Sequence, residues 1–302
     1  MILALPCLCL VALSPESATP EPLVIAELRD DGIVVPFARY NDTKWTPLPL
    51  DSLPKNAPSR NTWYIASQDA EPREIHGGLW VDLVEDPSGE AGPRFRGQLT
   101  DYCQQANPVE RGSPRFVVSD PRGVSPCEDI PPDSETWRRV LACIRPEFER
   151  SESLAVETSG APRPDTLHLQ WGHPVSPKAR RTYPLAASVT AVRVVGGSAL
   201  FHITATRKYP GPSWDEVCDG LSVFDGWVRE SGGRPAVLSP HFTIENCDAK
   251  GITFSTPMLS LTSGGCTFVL VDETGYEWGA YVILELGSDG PKRVLEYVYH
   301  CL

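Results

Sequence analysis

The sequence predicts an all-β fold, predominantly antiparallel and sandwich- or barrel-like, with one short helix over residues 133–145. Three observations predict it. Residues 266–301 form three short runs of alternating apolar and polar character, cut by Gly- and Asp-rich turns. Successive side chains of a strand point to opposite faces, so this alternation suits a half-buried antiparallel sheet. Gly196-Gly197 stands between two further strand-like runs, where a two-residue turn wants positive φ. Helical spacing of apolar residues is convincing in one place only.

The elements follow in order. Residues 23–28 and 33–40 flank Asp30-Asp31-Gly32 as a hairpin, and Asn41-Asp42 turns the chain again before Lys44-Trp45-Thr46. A Pro-rich connector covers residues 47–58. Strand-like runs resume at 62–66, 78–84, 94–100 and 115–119, and the Pro, Gly and Asp between Pro121 and Pro132 mark a loop. Asp133 or Ser134 can cap the helix, Trp137, Val140, Leu141 and Ile144 give its apolar face, and Pro146 ends the pattern. Residues 151–165, rich in Ser, Gly and Pro, read as a linker.

Beyond it, residues 188–195 and 198–208 pair about Gly196-Gly197. That register sets Val192 beside Phe201, Val194 beside Ala199 and Thr190 beside Ile203 on an apolar face, with Arg193 and His202 on the wetter one. Thr262-Ser263-Gly264-Gly265-Cys266 reads as a turn opening a strand. Asp272 to Gly275 and Gly287 to Gly290 are the next two turns, and Trp278 falls on an apolar face. The expected organisation is a leader over 1–20, an N-terminal β-rich domain over 21–150, the linker, and a C-terminal antiparallel domain over 166–302.

Composition bounds the function. The chain has 302 residues, 41% of them hydrophobic, enough for a core. A formal net charge of −12 argues against nucleic acid as a partner and against docking on anionic lipid, since both demand clustered Lys and Arg. Residues 1–13 are apolar and too short to span a bilayer; they resemble a secretory signal, although no Lys or Arg precedes them. The expected location is secreted or periplasmic, or cytoplasmic if the leader is not a signal. Of the nine cysteines, Cys7 and Cys9 fall in that leader. None of the rest forms a C-x-x-C pair, so stapling disulfides are favoured over a metal site. Cys218 and Cys247, in polar loop-like surroundings, are the candidate bridge. Cys266 and Cys301 flank an up-down-up meander and should lie too far apart to join.

No motif assigns catalysis. Phosphate-binding Gly-rich loops and the G-x-S-x-G elbow are missing from the sequence. Asp165, His168 and His173 form the most enzyme-like local cluster, yet positions 168 and 173 point to opposite faces of a strand. They are read as separate hydrogen-bonded histidines. No catalytic residue, metal ligand or cofactor is therefore assigned. Trp45 and Trp214, among Pro, Lys, Asp and Ser, are the candidate surface aromatics for a carbohydrate or protein ligand. Asn41-Asp42-Thr43 is a glycosylation sequon, with meaning only in a eukaryotic secretory pathway. The expectation is an exported, non-catalytic binding, interaction or structural protein. The alternative is a secreted hydrolase whose site assembles from distant loops.

Overall fold

Apolar side chains occupy successive positions of Cys266–Thr274 and Gly279–Gly287, and strands of that pattern need cover on both faces. In a computed structural model both strands have that cover. The residues it describes are 22–28, 34–48, 62–67, 70–76, 115–120, 122–158, 169–170, 173–174, 176–192, 199–209, 220–232, 234–245, 252–275 and 278–298.

The first sheet holds β1 (Leu23–Leu28), β2 (Val34–Tyr40), β3 (Trp45–Pro47), β4 (Thr62–Ser67), β5 (Ala70–His76) and β6 (Arg115–Val118). Its order is β3-β2-β1-β6-β4-β5, and every neighbouring pair is antiparallel. Two short strands follow, β7 (Val124–Pro126) and β8 (Glu128–Asp129), then helix α1 (Glu135–Thr158). A small ribbon of β9 (Leu169–Gln170) and β10 (His173–Pro174) precedes the single turn α2 (Pro177–Arg180). Next come β11 (Ala186–Val192), β12 (Ala199–Tyr209), β13 (Gly220–Ser231) and β14 (Arg234–Glu245). The last four are β15 (Phe254–Ser263), β16 (Cys266–Thr274), β17 (Gly279–Gly287) and β18 (Gly290–Val298). They make two five-stranded sheets, β14-β13-β12-β11-β8 and β18-β17-β16-β15-β7. The architecture is therefore all-β and antiparallel, built of open sheets stacked as in a sandwich.

The stack has four layers. The six-stranded sheet packs on one face of the β15–β18 sheet, with Ile25, Phe37 and Phe116 meeting Leu270, Tyr281 and Ile283. Tyr281 lies 5.0 Å from Phe37 and 5.1 Å from Phe116, ring centre to ring centre, the latter edge-on. Such pairs add roughly 0.5–1.5 kcal/mol beyond the area they bury. On the other face of β16, Val269 and Val271 pack with Val192, Leu200 and Trp227 of the β11–β14 sheet. That sheet's far side is covered by α1 through Val140, Leu141, Ile144 and Phe148. The middle sheet is thus buried on both faces, where the sequence pattern suggested one.

One short segment joins the two five-stranded sheets. β7 pairs with β15, β8 pairs with β11, and Cys127 between them is fully buried. A strand that switches sheets in this way makes a corner of the sandwich. Gly123 permits it: its φ is +74°, and a Cβ there would stand 2.4 Å from the Thr262 carbonyl oxygen.

Several expectations hold. Gly264 and Gly265, at φ +59° and +79°, close the two-residue hairpin between β15 and β16. Ser288 and Asp289 turn the chain between Gly287 and Gly290. The helix begins as predicted, with Ser134 Oγ accepting from the Trp137 amide at 3.2 Å. It does not stop at Pro146, however, and runs 24 residues to Thr158. Pro146 removes one backbone donor, but Phe148, Glu152 and Val156 continue the buried stripe of Val140 and Ile144 at four-residue intervals. Residues 151–158, expected as linker, are helical for that reason. Likewise, residues 124–129, expected in the N-terminal domain, pair with strands of the C-terminal half.

The β11–β12 register is one residue away from the expected one. Val192 faces Leu200, Ala191 faces Phe201 and Thr190 faces His202. A shift of one transfers every side chain to the other face. Val192 and Phe201 therefore enter different cores, and the face expected to be wet is buried, with His202 2% exposed. Arg193, Val194 and the Gly196-Gly197 turn lie outside the described residues, as do the leader and the runs at 78–84 and 94–100. The turn expected from Asp272 falls later, because β16 runs to Thr274. Among the described residues no helix is long and apolar enough to cross a membrane.

The corner supplies a test. Gly123→Ala should lower the unfolding free energy by about 2–3 kcal/mol, through positive φ and the close carbonyl. Urea denaturation measures it, and an unchanged midpoint would show that the corner tolerates a side chain.

Candidate functional site

Charged side chains collect where apolar cover ends, in two places. The first lies between α1 and the sheet beneath it. Arg207 and Tyr209 fall on the face of β12 that α1 covers, with Ile203 and Ala205, and α2 brings Arg180. Glu152 of α1 receives all three. Arg207 Nη1 donates to its Oε2 at 2.6 Å, the Tyr209 hydroxyl donates to Oε1, and Arg180 Nε stands 3.4 Å from Oε2. Arg180 also donates to Ser153 Oγ at 2.8 Å. Glu152, Arg180, Arg207 and Tyr209 are each at most 2% exposed. Burial, then the adjoining Glu152 carboxylate, pushes the Tyr209 phenol well above its usual range, so it is a donor at neutral pH.

The second group lies in the seam between the two five-stranded sheets. Asp225 of β13 holds His202 Nε2 at 3.2 Å and accepts from the Thr204 hydroxyl at 3.1 Å, and Trp227 meets the imidazole edge-on at 4.9 Å. Across the seam, both oxygens of Glu273 accept from Arg293 Nη2, at 2.8 and 2.7 Å, and Arg293 Nη1 reaches Glu296 at 2.8 Å. Burial raises the Glu273 carboxyl above its ordinary value, with Arg293 opposing and Glu296 and Asp225 adding to the rise. Arg293 is raised as well: burial works to lower it, but its bonds to Glu296 and Glu273 together outweigh that and favour its charged form. The desolvation of Glu273 outweighs its ion pair.

Chemically, both groups are committed. The Glu152 carboxylate is shared among three donors, and Glu273 is clamped at both oxygens. His202 is oriented by Asp225, and 2% exposure keeps it from bulk solvent. Cys127 cannot supply a thiolate near neutral pH, since burial and then Asp129 and Glu128 push its thiol up to about 12. Among the described residues no group of three or more His, Cys, Asp or Glu is placed to hold a metal.

The residues singled out from sequence fare differently. Trp45 is not a surface aromatic. It is 6% exposed, 5.1 Å from Tyr40 and 5.6 Å from Phe268, between the six-stranded and middle sheets. Its Pro- and Lys-rich context hid this, because β3 pairs with β2 and turns the indole inward. Trp278 shows the reverse. Expected in the core or half-buried on an apolar face, it is 37% exposed, just before β17, with its indole over Gly275. Trp214, Cys218, Cys247, Cys301, Asp165 and His168 lie outside the described residues, and so does the side chain of His173. Cys127, Cys143 and Cys266 are free thiols. His202 was seen only as an isolated histidine, Glu273 only as a residue of the turn expected from Asp272, and Glu152, Arg207 and Asp225 were not singled out at all. A signal existed for two of them: Glu152 interrupts a four-residue apolar stripe, and Arg207 an alternating one.

No family model matches the chain, and no curated protein or solved structure does either.

Two outcomes are expected. Glu152→Ala leaves buried guanidinium groups without their shared carboxylate and should cost about 3–5 kcal/mol in chemical denaturation; a loss below 1 kcal/mol would mean the cluster is solvated. For Glu273, the folded-state carboxyl lies above its unfolded value, so the native state holds the proton longer. Stability contributed by this group is present at acid pH and declines as pH rises from about 4 through the raised value. Glu273→Gln should remove that decline. Urea unfolding of both proteins across this range should show the wild type losing ground to the variant as pH rises; parallel curves would refute it.

Proposed function

We propose that the chain is an exported, non-catalytic binding or interaction protein, with carbohydrate or protein as its ligand. One observation carries the reading. Phe254, Trp278 and Val298, each between a third and just over half exposed, stand at one end of the middle sheet. Register sets Phe254 level with Thr274 and with Gly279 beside Trp278, and Val298 level with Ala280 one row further in, so Phe254 and Val298 project to opposite faces of that end and Trp278 stands at its rim. Large exposed apolar side chains are a common mark of contact with a partner, and the Trp278 indole suits a sugar ring or a peptide. The committed state of both buried charge groups supports a non-catalytic role. Export rests on the apolar residues 1–13, and the charge of −12 disfavours nucleic acid.

The alternative is a secreted hydrolase. In its favour, Glu273 has a raised carboxyl with Asp225 near it, the kind of pair that divides acid and base roles. Against it, Arg293 occupies both Glu273 oxygens.

The experiment is affinity electrophoresis of the full chain through gels carrying laminarin, xylan or gelatin. Retardation by one polymer, at least halved in Trp278→Ala while its melting temperature stays within about 2 °C, is the expected result. Migration unaffected by all three would count against a ligand of these classes at this surface. Release of reducing ends or peptides would favour the hydrolase.

A further inference from the structure

Arg207 and Ser222 are cross-strand partners on β12 and β13, on the face that α1 covers. Arg207 is 1% exposed and Ser222 fully buried. The guanidinium lies over the Phe148 ring, 5.0 Å from its centre, and its Nη1 is spent on Glu152. Its Nε–H has no hydrogen-bond partner, and neither has the Ser222 hydroxyl. Directly opposed residues of an antiparallel pair have Cβ atoms only about 5 Å apart, so the two orphan groups share one small space.

Arg207 Nε–H can only donate, whereas the Ser222 hydroxyl can donate or accept and does neither. A buried donor without an acceptor is costly, most of all on a cation. The strand backbone around them is consumed by ladders to β12 and β14. Glu152 already serves Arg207, Arg180 and Tyr209, so its single negative charge is shared between two guanidinium groups. A water could accept from Arg207 and donate to Ser222 Oγ, but it would leave the guanidinium charge without an offset. A monatomic anion accepts from both, donates nothing, and offsets the shared charge.

We propose that Arg207 and Ser222 hold a small monovalent anion, of halide size, buried between α1 and the β11–β14 sheet. It completes the neutralisation of the guanidinium and secures the half of α1 beyond Pro146. The site selects by size and by the lack of any need to donate, so chloride and bromide fit and polyatomic organic anions do not.

The test compares thermal unfolding of the full chain and of Ser222→Ala in sodium chloride and in sodium gluconate of equal ionic strength. The wild-type melting temperature should rise with chloride and saturate, by about 2–4 °C. The variant should lack this saturable rise. In gluconate it should be at least as stable as wild type, because an unpartnered hydroxyl has been removed. In chloride it should be the less stable of the two. A difference between the two proteins that is the same in both salts would overturn the proposal and leave a bound water only. Bromide-soaked crystals decide independently: an anomalous peak between Arg207 and Ser222 supports the site, and peaks confined to the surface refute it.

Discussion

The β15–β18 sheet has apolar side chains on both faces, and the rest of the molecule answers that demand. An antiparallel sheet with one wet face needs a single partner; this one needs two. The six-stranded sheet meets the face of Leu270, Tyr281 and Ile283, and the β11–β14 sheet meets the face of Val269 and Val271. The second partner then has an uncovered apolar face of its own, with Val189, Phe201, Ile203 and Phe224, and α1 closes it. Four layers result because one of the two covering sheets, β11–β14, creates a further need that α1 meets.

Charge enters where this apolar succession ends. Glu152 interrupts the buried stripe of α1 between Phe148 and Val156, and Glu273 sits near the end of β16 where Val271 gives way to the surface. Neither position contributes much net energy, since desolvation consumes most of what a buried pair gains. Their value is in geometry. A carboxylate held by Arg207, Arg180 and Tyr209 has one satisfactory placement on the sheet, whereas leucines would tolerate several. The same reasoning explains Arg229, which donates to the carbonyls of Gly287 and Ser288 and ties the β17–β18 turn to the neighbouring sheet.

What could be read from sequence depended on how local its cause was. The Gly264-Gly265 hairpin, the turn at Ser288-Asp289 and the start of α1 are set by residues within four positions of one another, and all were legible. The β11–β12 register depends on how strands from distant segments share two buried faces, and alternation alone placed it one residue out. Trp45 and Trp278 exchanged roles for a similar reason. Neighbours in sequence suggested a wet Trp45 and a buried or half-buried Trp278, while exposure was decided by β2 and Phe268 in one case and by a place just outside β17 in the other. The charge clusters were least legible, because Glu152 and Arg207 are 55 positions apart and nothing local marks them as partners.

The corner at Cys127 bears on how the chain is made. Residues 124–129 leave the ribosome long before β15 and β11, the strands on which they pair, and the apolar face of the six-stranded sheet likewise precedes Leu270, Tyr281 and Ile283. Contacts this remote in sequence form late, after a large loss of chain entropy. During synthesis the first half therefore carries Ile25, Phe37 and Phe116 without their cover. A nascent chain of this design depends on protection by a chaperone, or on rapid completion, to reach its stacked form without aggregating.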